Sequence, residues 1–329
     1  VAATIAFVQE DIKRVLAWST VSQIGYMIMG AGLGAYASSM FHFLTHAFFK
    51  ALLFLAAGIV IHALMGEQSL DRMGGLKKHL KVAYISIAVG CLAISGVPPF
   101  SGFFSKDEIL SEAFAAGNLG IVLGTIGLIG GGLTAFYMFR LFFRTFYGPE
   151  PEGGYPGGTP HPSGPAMAIP VLVLTVLAAV AGFLQVPDAW HPLTTWLEPA
   201  LIAAPDLHPS GAQIAISMIV GTVLALSAIA LAWWVFVADP GRRERLAGVL
   251  PNLRGLLLDQ YRFDHVYESA VIQPGRDLGD SLERNFERPV ASGVPTGAAR
   301  AAVLVGRGLR LAQSGLVAIL GVVFILVIR

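Results

Sequence analysis

The chain has 329 residues, of which 55% are hydrophobic and only 13% are charged, and its mean hydropathy is +0.67. Soluble domains carry about 25% charged residues, so the composition excludes a soluble globular protein and indicates repeated membrane spans. A net charge of +1 argues against a nucleic-acid-binding surface, and the single cysteine, Cys91, excludes a disulfide framework and an iron–sulfur cluster. The sequence opens at Val1 inside what resembles a helix end, and we expect the C-terminal part of a longer protein.

Apolar stretches of about 20 residues predict membrane-spanning helices. After a short helical stub at 1–8, the predicted spans are 14–36, 38–65, 82–116, 118–147, 166–186, 212–238 and 310–328. These spans divide the chain into a helix bundle (1–238), a polar segment (239–309) and a final transmembrane helix (310–329). The expected fold class is an all-α, polytopic membrane protein.

The distribution of basic residues predicts the orientation. Nineteen of the 22 lysines and arginines fall on alternate connections, namely two at 13–14, four at 72–81, two at 140–144 and eleven at 242–310. The connections on the other side carry none. Because cytoplasmic loops are enriched in lysine and arginine, we expect the basic side to face the cytoplasm. Of the other three, Arg329 is a terminal anchor, whereas Lys50 and Lys106 are predicted at membrane depth.

The predicted span 38–65 carries three basic side chains on one face. His42, His46 and Lys50 are spaced four residues apart, which on a helix gives a row with steps of about 6 Å. A charged lysine at mid-bilayer costs about 3 kcal/mol and usually faces a bundle interior or a wet cavity. Histidine and desolvated lysine both exchange protons near neutral pH, so the row predicts a proton path. The alternatives are satisfied core groups and a metal site; we expect no metal, because no carboxylate shares the face.

The predicted span at 82–116 is too long for a single crossing and contains helix-breaking residues. Pro98 and Pro99 lack backbone N–H groups, and Gly96 and Gly102 relax the chain, so we predict a break at these four residues. Free backbone groups at membrane depth are tolerated only against protein or a wet cavity, an arrangement found in transporters.

Three charged residues follow this break. Lys106 lies just past it and is a candidate proton carrier. Asp107 and Glu108 are expected to stabilise the positive N-terminus of the second half-helix. The alternative is a packing kink, which explains the prolines but leaves Lys106 unexplained.

Two charged residues precede the span at 14–36. Asp11 is a candidate helix N-cap. Lys13 is either the entry residue of a proton path or an anchor at the membrane surface, and the sequence favours neither.

Residues 239–309 are too polar to cross a membrane. Between 264 and 307, apolar residues recur at helical spacing among arginines and acidic residues, which predicts an amphipathic helix along the membrane or along partner subunits. We expect kinks at Pro274, Pro289 and Pro295. A set of short cytoplasmic helices is the alternative.

Three segments in combination resemble a known family. Residues 11–26, 42–50 and 103–109 (Phe-Phe-Ser-Lys-Asp-Glu-Ile) are similar to the antiporter-like subunit L, or chain 5, of proton-pumping NADH:quinone oxidoreductase, respiratory complex I. The resemblance covers the whole chain. It implies a C-terminal half-channel with a broken helix and a lateral helix along neighbouring subunits. The positions implied for its polar axis are Lys13, His42, His46, Lys50 and Lys106.

The resemblance also implies a function, partners and cofactors. It implies a non-redox subunit of an enzyme complex, which moves protons along the His/Lys axis. Arginine outnumbers lysine 16 to 6, which indicates a GC-rich bacterium and hence a bacterial plasma membrane. Expected partners are the M-type and N-type antiporter-like subunits and the lipid bilayer, with no nucleic acid. We expect this chain to bind no cofactor, because NADH, FMN, iron–sulfur clusters and quinone would belong to partner subunits.

Two other functions remain open at this point. An Mrp-type cation/proton antiporter subunit shares these motifs, although cation sites usually consist of carboxylate oxygens and the conspicuous membrane-depth charges here are lysines. A structural clamp of the membrane arm is the other, in which the polar segment would hold partner subunits together.

Overall fold

The computed structural model describes residues 1–186, 189–201, 207, 209–239, 241–249 and 251–328. Within these ranges the regular structure is helical and contains no β-strand, which confirms the predicted all-α class. By its internal contacts the chain divides into two units, Val1–Asp259 and Gln260–Arg329.

The first unit is a bundle of eleven α-helices among the described residues. They are α1 (Ala2–Val8), α2 (Ile12–Leu33), α3 (Tyr36–Ala63), α4 (Lys81–Ser95), α5 (Ser101–Ala115), α6 (Gly117–Phe146), α7 (Pro165–Val180), α8 (Pro192–Leu197), α9 (Gly211–Phe236), α10 (Arg242–Ala247) and α11 (Pro251–Leu258). Helix α3 packs against α2, α4, α5 and α7, so the predicted polar row lies on a central helix.

Local sequence signals explain where several helices begin and end. Asp11 caps α2, as predicted, because its Oδ1 accepts a hydrogen bond of 3.0 Å from the Arg14 amide. Gly34 ends α2 with a positive φ of 91°, a backbone conformation that favours glycine. Ser210 and Gln213 form a reciprocal capping box at the start of α9.

The apolar surface of the helices indicates a membrane-spanning protein. Five helices in the described ranges are long and apolar enough to cross a bilayer: Tyr36–Ala63, Gly117–Phe146, Pro165–Leu184, Gly211–Phe236 and Gln260–Val327. Large apolar side chains remain exposed on them, such as Ile126 at 60% and Ile219 at 63%. The chain is a multi-pass membrane protein. The predicted span 14–36 forms a 22-residue helix, α2, but α2 does not belong to this apolar set.

The predicted span 82–116 forms two helices rather than one. Helix α4 ends at Ser95, helix α5 begins at Ser101, and the five residues between them include the cis peptide bond between Pro98 and Pro99. Gly96 has a φ of +74° and closes α4, with its amide 3.1 Å from the Ala93 carbonyl oxygen. The backbone is therefore interrupted within the segment that the sequence marks.

The second unit is a long helical segment. It consists of α12 (Phe263–Tyr267), α13 (Gln273–Leu282) and α14 (Gly293–Val327), joined by π-helical stretches at Glu268–Ile272 and Glu283–Ser292. The backbone stays helical through Pro274, Pro289 and Pro295, and Pro289 lies inside a π-helical stretch. The predicted kinks at these prolines stay a prediction. Helical structure also continues through residue 310, where a separate final span was predicted.

Candidate functional site

The structure places His42, His46 and Lys50 on the buried face of α3. They are 0%, 7% and 5% exposed, respectively. The ring centroids of His42 and His46 are 6.2 Å apart, which matches one helical step. We call these three side chains the α3 row.

Lys50 contacts neutral groups of α2. Its Nζ donates to the Leu16 carbonyl oxygen at 3.1 Å and also contacts the Ser19 hydroxyl. Among the described residues, Lys50 forms no ion pair. An ammonium group here is therefore solvated by a carbonyl and a hydroxyl rather than neutralised by a carboxylate.

His42 joins α3 to two other helices. Its Nδ1 lies 2.9 Å from Ser105 Oγ on α5, and its Nε2 lies 3.2 Å from Gln23 Oε1 on α2. The Thr45 hydroxyl lies 2.7 Å from the Ser105 hydroxyl and extends this network. His46 differs, because its Nε2 is buried without a hydrogen-bond partner in the described part of the chain. It therefore keeps an unused ring nitrogen between His42 and Lys50.

The helix break positions Lys106. An uninterrupted helix would bond the Ile94 carbonyl to the backbone N–H of residue 98, but Pro98 has none. The Lys106 Nζ donates to that Ile94 oxygen at 3.0 Å. Gly96 leaves room for the lysine, since an added Cβ there would lie 3.3 Å from Lys106 Cε. Gly102, in the first turn of α5, lies so close to α4 that a Cβ would overlap the Ala93 carbonyl.

Tyr26 lies between the α3 row and Lys106. Its ring centroid is 6.4 Å from that of His42, and the Lys106 Nζ is 5.7 Å from the same ring. Its hydroxyl donates to the Gly127 carbonyl at 2.5 Å. The structure thus brings together four of the five predicted pathway residues, with Tyr26 as an additional member.

Lys13 is not part of this assembly. It is exposed in the first turn of α2, and no contact with the α3 row is observed within the described residues. Its predicted role in the path therefore stays a prediction.

The predicted position of Asp107 and Glu108 was wrong. We expected both at the N-terminus of the second half-helix, but α5 begins at Ser101 and its first turn carries no acidic residue. Asp107 and Glu108 are the seventh and eighth residues of α5. Asp107 is 4% exposed, and its Oδ2 has no hydrogen-bond partner in the described ranges. Asp107 therefore belongs to the buried interior, and Glu108 is half-buried with its Oε2 buried.

Sequence reasoning missed most neutral members of the site. Ser19, Gln23 and Tyr26 of α2 follow a helical spacing of four and three residues, and all three are buried. This spacing was a usable signal. The contribution of Ser105 from α5 had no such signal, because it depends on the packing of α5 against α3.

A second charged assembly lies where several connections of the bundle meet. We call it the basic cluster; it consists of Glu10, Asp71, Arg140, Arg144, Arg243 and Arg254. Glu10 pairs with Arg140 at 3.1 Å and also with Arg144. Asp71 lies 2.5 Å from Arg144 and 2.6 Å from Arg243. The structure thus gathers basic residues from connections that the sequence assigns to one side.

Electrostatics explain why these carboxylates stay ionised. Burial raises the pKa of Glu10, but the charges of Arg140 and Arg144 outweigh it and hold that pKa below 4.5. Burial likewise raises the pKa of Asp71, and a hydrogen bond from Arg243 with the charge of Arg144 brings it below 3.8. The basic cluster is thus fully charged at neutral pH.

The sequence is similar to membrane subunits of quinone oxidoreductases. Residues 1–134 match the family described as NADH:quinone oxidoreductase/Mrp antiporter, transmembrane. NAD(P)H-quinone oxidoreductase chain 5 of Picosynechococcus sp. is 36% identical over 341 residues, which cover 95% of this chain and 51% of that protein. NADH-quinone oxidoreductase subunit L of Escherichia coli is 36% identical over 319 residues, which cover 94% and 48%.

A shorter alignment has higher identity. Subunit L of Mycobacterium tuberculosis is 45% identical over 218 residues, which cover 60% of this chain and 34% of that protein. The chain therefore spans about half the length, or less, of these curated relatives.

A solved structure supports the fold. The Mrp complex from Dietzia sp. DQ12-45-1b matches 92% of this chain and 32% of its own chain, with a TM-score of 0.57 and 22% identity. This similarity shows a shared antiporter-like helix arrangement. Together with the family match over residues 1–134 and the sequence identities, it makes the chain similar to membrane subunits described as NADH:quinone oxidoreductase/Mrp antiporter proteins.

Proposed function

We propose that the chain is a proton-translocating membrane subunit of an NADH:quinone oxidoreductase. The observation that supports this most directly is the buried polar path from the α3 row through Tyr26 to Lys106. The ring centroids of His46 and His42 are 6.2 Å apart, and those of His42 and Tyr26 are 6.4 Å apart. The Lys106 Nζ lies 5.7 Å from the Tyr26 ring centroid. Titratable groups inside apolar helices are costly, and they mark ion or proton pathways.

The geometry suggests how each group contributes. Lys50 exchanges a proton without breaking an ion pair, because its partners in the described chain are a carbonyl and a hydroxyl. His42 has one ring nitrogen beside Ser105 and the other beside Gln23, so a change of tautomer moves a proton across the ring. No direct hydrogen bond joins His46 to His42, His42 to Tyr26 or Tyr26 to Lys106 among the described residues, so each transfer uses a bridging water or a side-chain movement.

Lys106 is the acceptor at the far end of this path. The carbonyl end of α4 carries a partial negative charge, which favours a protonated Lys106 beside Ile94. A second positive charge on the α3 row disfavours the same state, because like charges repel. A positive charge on one group therefore lowers the proton occupancy of the next. In our proposal this repulsion couples redox chemistry in partner subunits to proton movement.

The driving redox chemistry lies outside this chain in our proposal. The one cysteine, Cys91, is buried and free, whereas a cluster needs several ligands. NADH, FMN, iron–sulfur clusters and quinone would be held by partner subunits, and the chain would act as a non-redox part of the enzyme. Its neighbours would be the M-type and N-type antiporter-like subunits in a bacterial plasma membrane, with the basic cluster facing the cytoplasm.

Replacing Lys106 tests this function. We expect Lys106→Met, in the full-length subunit assembled in its complex, to lose most NADH-driven proton uptake by inverted membrane vesicles. The matched control is Lys78→Met, which changes an exposed lysine of a connection and is expected to pump normally. Normal pumping and NADH oxidation in Lys106→Met would show that the path does not carry protons, and the structural clamp would then be the better account.

The shared fold with an Mrp complex favours one second candidate, a cation/proton antiporter subunit. The two functions differ in their driving force. A cation gradient imposed on vesicles without NADH would drive proton movement in the antiporter, but it would have no effect in the redox-driven pump.

A further inference from the structure

The polar face of α3 extends beyond His42. Ser38 lies four residues before His42, so it continues the α3 row by one helical step. It is fully buried, and its hydroxyl makes no hydrogen bond of normal geometry in the described part of the chain. That hydroxyl lies beside the carboxylates of Glu108 and Glu112 on α5. The row therefore leads from its histidines to two acidic side chains.

Glu108 and Glu112 form a pair on one face of α5. They are four residues apart, and each has a buried Oε2 that lacks a hydrogen-bond partner among the described residues. Across the described ranges, neither forms an ion pair with a basic side chain. Two carboxylates that share a buried site cannot both be charged at low cost, so one of them holds a proton.

Gln185 closes this site from the segment after α7. It is fully buried, and its Nε2 donates to Glu108 Oε1 at 2.6 Å. Its own Oε1 accepts from the Thr194 amide at 3.3 Å and the Thr194 hydroxyl at 3.1 Å. Gln185 thus fixes Glu108 Oε1 and leaves Oε2 without a hydrogen-bond partner among the described residues. Asp107 lies elsewhere, with its Oδ1 beside Gly221 of α9.

We propose that Glu108 and Glu112 are a proton-release pair beside the Ser38 end of the α3 row, with Ser38 as the relay between them. Glu112 lies one turn nearer the end of α5, on the side of the bundle away from the basic cluster's connections. Protonated Glu108 gives its proton to the Ser38 oxygen, while the original Ser38 O–H proton passes to the Glu112 carboxylate. Glu112 then gives that proton to water, and a proton from the α3 row restores protonated Glu108. This assignment rests on the proposed pumping function.

Two measurements on the assembled complex test the pair. Dicyclohexylcarbodiimide modifies protonated carboxyl groups in apolar surroundings, so we expect mass spectrometry to find the adduct on Glu108 or Glu112. The double variant Glu108→Gln/Glu112→Gln should lose this adduct, whereas the exposed control Glu152→Gln should retain it. In NADH-energised vesicles, Glu112→Gln should lose most proton pumping, and Glu112→Asp should recover much of it.

Three results would overturn the proposal. Wild-type pumping in Glu112→Gln would show that release does not need this carboxylate. Absence of the adduct in wild type would show that neither carboxyl holds a proton. Protection of the pair by sodium ions, with pumping that depends on sodium, would assign a cation site instead. If wild-type vesicles show no NADH-driven proton movement, the proposed function itself fails, while the labelling still reports on the carboxyl pair.

Discussion

The α3 row and the basic cluster bury charge in the same unit in opposite ways. In the basic cluster, Arg140 and Arg144 are 5% and 6% exposed at their side chains, and both pair with Glu10. In the row, Lys50 is equally buried but bonds only to neutral groups in the described chain. Paired charges are fixed in place, since losing one strands the other. Charges solvated by neutral groups can change their protonation, which is what a proton path requires.

Removing Glu10 disrupts the basic cluster and has the largest expected effect on stability. Glu10→Ala leaves two buried guanidinium groups without their shared carboxylate, which costs about 3 kcal/mol of stability. Thermal unfolding of the assembled complex measures this loss. The exposed control Glu152→Ala should unfold as the wild type does. Equal stability of both variants would mean that the cluster is not a structural anchor.

Adding a side chain at the helix break tests how Lys106 is held in place. A Cβ in Gly102→Ala would overlap the Ala93 carbonyl, so α5 must shift from α4 at a cost of about 2 kcal/mol. The shift would draw Lys106 from its Ile94 partner, and we expect a severalfold loss of NADH-driven pumping. Gly25→Ala is the control, because a Cβ at Gly25 meets open space. Unchanged pumping in Gly102→Ala would show that the lysine does not need this packing.

Acidification should weaken the basic cluster. The pKa of Glu10 lies below 4.5 and that of Asp71 below 3.8 in the folded chain. Their stabilising effect is therefore present above these ordinary values and is lost as the pH falls through the lower folded values. We expect a fall in melting temperature below about pH 4.5 that is smaller than the loss in Glu10→Ala. The fall in melting temperature should be smaller in Glu10→Gln than in the wild type. An identical pH profile in both would mean that other carboxylates cause the fall.

Sequence periodicity and helix-breaking residues predicted the parts of the site that lie on one element. The spacing of His42, His46 and Lys50 is local, and so is the interruption marked by Pro98 and Pro99. The partners of these groups are not local. Arg144 and Glu10 lie 134 residues apart along the chain, and no pattern in either segment indicates their contact.

One local interpretation failed for a physical reason. Asp107 and Glu108 were assigned to a helix N-terminus because they follow the prolines, but α5 begins at Ser101 and places both beyond its first turn. The error treated a helix-breaking residue as a fixed boundary, whereas the neighbouring turns determine where the helix resumes.

Replacing Lys13 has the smallest expected effect of these substitutions. It is exposed at the start of α2, whereas Lys50 is buried beside Leu16 and Ser19 of that helix. Water at the surface can supply protons without Lys13, so NADH-driven pumping in Lys13→Met should stay within about twofold of wild type while Lys50→Met loses most of it. An equal loss in both variants would extend the path to the surface. The contrast would then lie between charges that exchange protons and charges that are paired, whatever their burial.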